Sequence, residues 1–285
     1  MGDVTKLARA GDAADPRLGD RLYDRYRDTL DLPIAWNPTL DTVLAHRSVR
    51  AYLPDALPPG TIETLVAAAQ SAASSSNLQP WSVIAVEDTA RKARLAALAG
   101  HQKQILQAPL FLLWIVDHSR LARIGDQLGT PADGLHFLES FLLGAVDTSL
   151  AAQNAVVALE SLGLGSCYIG GIRNHPAEVA AELGLPPRSF ALFGLTVGYP
   201  DPTASASVKP RLPQDAVLFR ERYGSVDGTQ GAAAYDARLR SFQREQRMPE
   251  RDWSEQASQR VRGIDSLAGR HVLRDVLHAL GFRLE

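Results

Sequence analysis

Residues 133–171 read DGLHFLESFLLGAVDTSLAAQNAVVALESLGLGSCYIGG, and the fold turns on this stretch. From 133 to 162 it is rich in Ala and Leu, with few charges until its end, and it is the longest helical signal in the chain. A helix apolar nearly all round has no face to offer water, so it must lie in a core or against a partner. Gly163-Leu164-Gly165 ends it, and residues 166–169 read as a strand running into Gly170-Gly171.

Upstream, residues 81–86 and 110–116 read as strands, the second buried, with a helix over 89–99 between them. Ile62, Leu65, Val66 and Ala69 repeat at helical spacing after the turn Pro58-Pro59-Gly60. Asn37-Pro38-Thr39 opens a short helix that leads into His46-Arg47-Ser48-Val49-Arg50. Before it, Leu18, Leu22, Tyr26 and Leu30 mark an amphipathic helix. Downstream come a helix over 176–183, a strand over 190–197, a proline-rich loop over 199–213, and charged helical sequence from about 232. There is no internal repeat, no GxGxxG after an opening strand and no Walker sequence, so neither common nucleotide fold has its fingerprint. The pattern predicts an α+β or three-layer α/β arrangement. It is read as a single domain: an N-terminal extension over 1–40, a core over 41–225 and a C-terminal helical excursion over 226–285.

Composition narrows the function. In 285 residues, 45% hydrophobic content excludes disorder over most of the chain. Lys+Arg of 30 against Asp+Glu of 32 leaves no basic excess to drive binding to nucleic acid or an anionic membrane. The lone Cys167 cannot form an intramolecular disulfide, no Cys/His cluster has zinc spacing, and Cys167 is read as a core residue. The N-terminus lacks the order of a secretory signal. Apolar runs such as 109–116 fall short of the ~20 residues of a membrane span, so cytoplasm is the default expectation.

Four segments offer chemistry. In His46-Arg47-Ser48-Val49-Arg50, cations and a hydroxyl within five residues suit an anion, with Arg47 able to fork across two phosphate oxygens. Lys209-Pro210-Arg211 holds two cations in a stiff pair. Ser74-Ser75-Ser76-Asn77, at a helix end before a buried strand, offers donors to a polar ligand edge. In Tyr168-Ile169-Gly170-Gly171-Ile172-Arg173-Asn174, paired glycines let backbone N–H groups approach a flat ligand. Each also has a plain structural reading: a solvated helix end, an exposed charge pair, a Ser-rich linker, a tight turn.

Taken in order, HRSVR, SSSNLQPW, GHQKQ, GLGSCYIGGIRN, FGLTVGYP and KPRLP resemble the nitroreductase family. The likeness is to its NADPH-dependent, oxygen-insensitive branch, which includes bacterial flavin reductases, and it runs from about His46 to Tyr223. The resemblance implies an α+β three-layer sandwich in an intertwined homodimer, with FMN in each of two interfacial sites and the long apolar helix at the dimer centre. It further implies that His46, Arg47 and Ser48, joined by Lys209 and Arg211, hold the FMN phosphate. Arg50 and Gln102 reach the ribityl or pyrimidine end. Ser74, Ser75 and Ser76 line the ring system, the backbone of Gly170-Gly171 lies near its reactive nitrogen, Tyr168 and Ile169 lead into that turn, and Asn174 closes it. Arg247 and Arg251 are placed like arginines that grip the 2′-phosphate of NADPH, and Asn77 stands where the branch often has an aromatic, which makes the substrate wall more polar and open. The first ~40 residues exceed the family's usual start, and their helix is expected to wrap the other subunit.

The implied activity is two-electron, ping-pong hydride transfer from NADPH to nitroaromatics or quinones, with no side chain assigned as a catalytic residue. Three readings compete with it: a flavin reductase that hands reduced FMN to a partner, a non-catalytic flavin-binding protein, and an α/β protein for another phosphorylated ligand.

Overall fold

The computed structural model describes residues 15–29, 34–224 and 230–285. Leu30, the last apolar residue expected on the first helix, lies outside them. In chain order the helices begin α1 (Pro16–Tyr26), α2 (Pro38–Leu44), α3 (Thr61–Gln70), α4 (Thr89–Leu98), α5 (Lys103–Gln107) and α6 (Ser119–Leu128). They continue with α7 (Leu138–Ser161), α8 (Pro176–Leu183), α9 (Gln230–Glu245), α10 (Trp253–Arg260) and α11 (Leu273–Ala279). The strands are β1 (Trp81–Val86), β2 (Leu110–Asp117), β3 (Gly165–Ile169) and β4 (Ser189–Gly198). Two compact units share the chain: Met1–Arg47 with Ser205–Ser266, and Ser48–Ala204 with Leu267–Glu285.

The sheet belongs to the second unit. Its order is β1-β2-β4-β3 and every pairing is antiparallel. All eight residues of β2 are buried, so the strand must serve cores on both faces, and its pleat sorts them. Leu110, Leu112 and Trp114 join Leu65 and Ala69 of α3 and Ala151, Ala155 and Leu159 of α7. Phe111, Leu113 and Ile115 face the other way, into Leu95 of α4, Ile105 of α5 and Val179 of α8. Helices therefore cover both sides of the sheet, which is the expected three-layer α+β sandwich.

Helix α7 buries Gly144, Asp147, Thr148, Ala151, Ala152, Ala155, Val156 and Leu159. Its opposite side leaves Leu138, Leu142, Val146 and Leu150 exposed at four-residue spacing, a continuous apolar stripe. By length and hydropathy this one described helix could cross a bilayer. Length and composition alone do not make it a membrane span, and eight of its residues are buried against the rest of the core. Beyond its end Gly163 takes φ +77°, the left-handed stop that glycine adopts without strain. Residues 133–136 form a separate 3-10 turn rather than the first turn of α7.

In the first unit, α1 and α2 begin on side-chain caps. Asp15 accepts from the Arg17 N–H at 3.0 Å and Asn37 from the Leu40 N–H at 2.9 Å, each followed by proline. The inward face of α1 carries Leu18 and Leu22, both buried. Its outward Arg21 pairs with Asp41 of α2 at 2.7 Å.

Candidate functional site

In the first unit, two of the cation-bearing segments meet on one side chain. Arg25, near the end of α1, is only 8% exposed. Its guanidinium donates to the carbonyls of Leu44 (2.9 Å), His46 (3.0 Å) and Lys209 (3.2 Å). The Arg211 N–H donates back to the Arg25 carbonyl at 2.9 Å. The Tyr235 hydroxyl of α9 holds the Pro210 carbonyl at 2.8 Å, and burial pushes that phenol's pKa up. The backbones that carry His46-Arg47 and Lys209-Arg211 are thus pinned to one group. Arg47 is exposed, and Arg211 spends one guanidinium nitrogen on its neighbouring carbonyls, those of Lys209 and Pro210.

Arg247 and Arg251 also lie in this unit. Their neighbours Arg240 and Arg244 are ion-paired with Asp252 and Glu250. Arg247 and Arg251 are exposed, and neither side chain has a carboxylate partner among the described residues.

In the second unit, residues 48–53 are held in extended form against the sheet. The Val49 N–H donates to the Ser166 carbonyl at 2.8 Å, and the Leu53 N–H to that of Tyr199 at 2.9 Å. The buried Tyr52 hydroxyl donates to the Val49 carbonyl at 2.6 Å and shares a 2.7 Å hydrogen bond with the Thr196 hydroxyl; burial raises its pKa well above the usual phenol value. Gly165 permits the approach, since a Cβ there would sit 2.6 Å from Val49 Cγ2. Val49 and Tyr52 are buried while Ser48 and Arg50 stay exposed. No carboxylate among the described residues pairs with Arg50.

The serine segment folds into a tight turn over Ser75–Asn77. Ser76, Asn77 and Gln79 adopt φ of +49°, +54° and +51°, uncommon for non-glycine residues and uphill in energy. What holds them is Asp147 of α7, 2% exposed. It accepts from the Ser74 hydroxyl at 2.6 Å and the Ser75 N–H at 3.3 Å, and Ser74 in turn accepts from the Gln79 N–H at 2.9 Å. Ser74 is therefore spent internally, whereas Ser75, Ser76 and Asn77 are exposed. Sequence reading missed Asp147; its one signal is a carboxylate inside an otherwise apolar helix, where charge is retained only for a partner.

Residues Gly170–Asn174 form a 3-10 turn after β3. A Cβ on Gly171 would lie 2.3 Å from the Ala99 carbonyl oxygen, whereas one on Gly170 meets only the Arg173 guanidinium, at 3.4 Å. The requirement for glycine at 171 thus comes from the protein's own backbone. Asn174 accepts from Arg270 Nε at 2.9 Å, a partner that sequence reading also missed. The Tyr168 hydroxyl reaches Gln153 at 3.3 Å and its ring packs edge-on to Phe193. Ile169 is buried, and Gln102 accepts from the Gln104 amide at 2.7 Å. Cys167 is a free, buried core residue whose thiol pKa is pushed up by burial. Among the described residues no three His, Cys, Asp or Glu gather as metal ligands. A cavity of about 560 Å³ lined by Arg123, Arg188, His278 and Phe282 contains none of the expected site residues.

The sheet with helices on both faces defines an α+β sandwich, and comparison with known proteins supplies the family. The model of the nitroreductase family matches residues 43–199, and that of the family's C-terminal domain matches 209–285. The chain belongs to the nitroreductase family and is an oxidoreductase. It is 37% identical over 225 residues to a Bacillus subtilis protein named FMN reductase (NADPH), covering 77% of this chain and 90% of that one. It is 38% identical over 206 residues to the oxygen-insensitive NADPH nitroreductase of Salmonella typhimurium, covering 72% and 82%. Among solved structures, B. megaterium NfrA2 superposes with a TM-score of 0.82 at 38% identity, covering 88% of this chain and all of that one.

Proposed function

We propose that the protein is an FMN-dependent NAD(P)H oxidoreductase that reduces nitroaromatics or quinones, with NADPH and acceptor using one opening in turn. The observation that carries this reading is a set of cations left without carboxylate neutralisation: Arg47 and Arg50 are exposed and none of the described residues pairs with them. Such a donor set fits a flavin mononucleotide, whose phosphate needs forked and hydroxyl donors. When bound, FMN supplies reversible two-electron hydride chemistry, which no side chain can.

As the family resemblance implies, His46, Arg47, Ser48, Lys209 and Arg211 would hold the phosphate. Arg50 and Gln102 would bind the ribityl and pyrimidine end. Ser74, Ser75, Ser76, Tyr168, Ile169, Gly170, Gly171 and Asn174 would shape the ring's seat. Ser74 and Asn174 would do so indirectly, since both are committed to internal bonds. Asn77, exposed and left-handed, would face the acceptor. Arg247 and Arg251, without carboxylate partners, would grip the 2′-phosphate of NADPH. The stripe Leu138, Leu142, Val146 and Leu150 would be covered by a second copy, giving the homodimer, and the enzyme would work in the cytoplasm.

The test is an initial-rate panel of a nitrofuran, a quinone and free FMN as acceptors, with NADPH and NADH. Parallel double-reciprocal lines with the nitrofuran or quinone support the reading. Turnover with free FMN alone makes the protein a flavin reductase. The double variant Arg247→Ala/Arg251→Ala should lose about tenfold or more of the NADPH-over-NADH preference, and an unchanged preference removes those two residues from the site.

A further inference from the structure

We infer that Arg25 is a positioning residue for coenzyme phosphate, an assignment that rests on the functional reading above. Helix α1 carries Arg17, Arg21 and Arg25 along its length, but they have different fates. Arg17 pairs with Asp15 and Arg21 with Asp41 at the surface. Arg25 is turned inward, where burying a guanidinium is costly unless its N–H groups are satisfied. Its planar fork meets that need by spanning three carbonyls at 2.9–3.2 Å. Two of them belong to His46 and Lys209, which are themselves among the residues proposed to hold the phosphate.

The tie is reciprocal, because the Arg211 N–H returns to the Arg25 carbonyl at 2.9 Å. One side chain therefore fixes the spacing of two cationic backbones that are remote in sequence. Cations gathered before the ligand arrives spare it the cost of ordering them. Arg25 also adds its own charge to the surroundings. It lies ahead of residue 43, where the match to the family model begins.

The test compares the dissociation constants of FMN and riboflavin, which share a ring and differ in the phosphate, by flavin fluorescence on the full-length apoprotein. Wild type should favour FMN strongly, and Arg211→Gln should reduce that preference. Arg25→Gln should cut it by about tenfold or more, nearly all of it in FMN affinity, with riboflavin affinity within about twofold. Should Arg25→Gln fail to fold, Arg25→Lys decides: it keeps the charge but cannot span three carbonyls, and should cut the preference about threefold or more. A preference unchanged in the folded Arg25 variant, or equal losses of FMN and riboflavin affinity, overturns the inference while leaving the site intact. A wild type that binds riboflavin as tightly as FMN, or a preference indifferent to Arg211→Gln, overturns the phosphate site and the Arg25 assignment with it.

Discussion

Adjacent glycines at 170 and 171 make opposite demands on a single methyl group. At 171 a Cβ would lie 2.3 Å from the Ala99 carbonyl oxygen and 3.2 Å from its carbon. Relief requires a shift of roughly 1 Å in the turn or in the end of α4, and both are backbone in a packed interior. Overpacking of this kind costs about 1–3 kcal/mol, and the upper end applies because no flexible side chain can yield. At 170 the nearest atom to a Cβ is Arg173 Nη2 at 3.4 Å, an ordinary contact, and Gly170 is absent from the residues with positive φ. There alanine removes unfolded-state freedom worth about 0.4–1 kcal/mol. Thermal and urea unfolding of Gly171→Ala and Gly170→Ala should therefore differ by about 2–4 kcal/mol. Gly171→Ala should melt several degrees below wild type, and Gly170→Ala at or slightly above it. Equal melting of the two variants would refute the placement of Gly171 against Ala99 and the reason given for that glycine.

Three further outcomes follow from burial and exposure. Cys167, buried with a raised thiol pKa, should resist a thiol reagent at pH 8 in the native protein and react fully after denaturation; rapid native labelling counts against its place in the core. Burial holds the His118 imidazole below its usual pKa of 6.5, so the folded state keeps it neutral and unfolding releases it to take up a proton. Stability should be at its full value above about pH 6.5 and fall as pH drops through the lowered folded value, while His118→Gln should flatten melting temperature across pH 7 to 5. Val146→Asp places a charge in the exposed stripe of α7 that is proposed to be covered by a second copy; wild type should then sediment as a dimer and the variant as a monomer, and identical sedimentation of the two would take that stripe out of the proposed interface.

How far the sequence could be read depended on how local the deciding forces are. The run Trp81–Val86 and the apolar strand around 110–116 announced themselves, because β pairing and burial act on contiguous side chains. Helix α8 and the Asn37 cap of α2 were equally plain, being written in residues within one turn. Helices α5 and α6 were not foreseen. The first has only five residues, and the second mixes Arg, Asp and Gln with a narrow apolar edge. In the candidate site the residue types were visible and their supports were not. Asp147 lies 73 residues from the Ser74 it holds. Arg25 looks like Arg17 and Arg21 in sequence, and only tertiary packing decides which of the three turns inward. Gly170 and Gly171 are indistinguishable as letters, yet only one of them meets Ala99.

The reading of this chain as a flavoenzyme rests on one anaerobic experiment above the others. Protein reconstituted with FMN and desalted is mixed with one equivalent of NADPH, and the flavin absorbance near 450 nm is followed before and after a nitrofuran is added. Retained flavin should bleach with one NADPH consumed per flavin, and the yellow colour should return on addition of acceptor. Protein that retains no flavin after desalting, or retains it unbleached by NADPH, would show that the arginines and serines described above serve something other than hydride transfer.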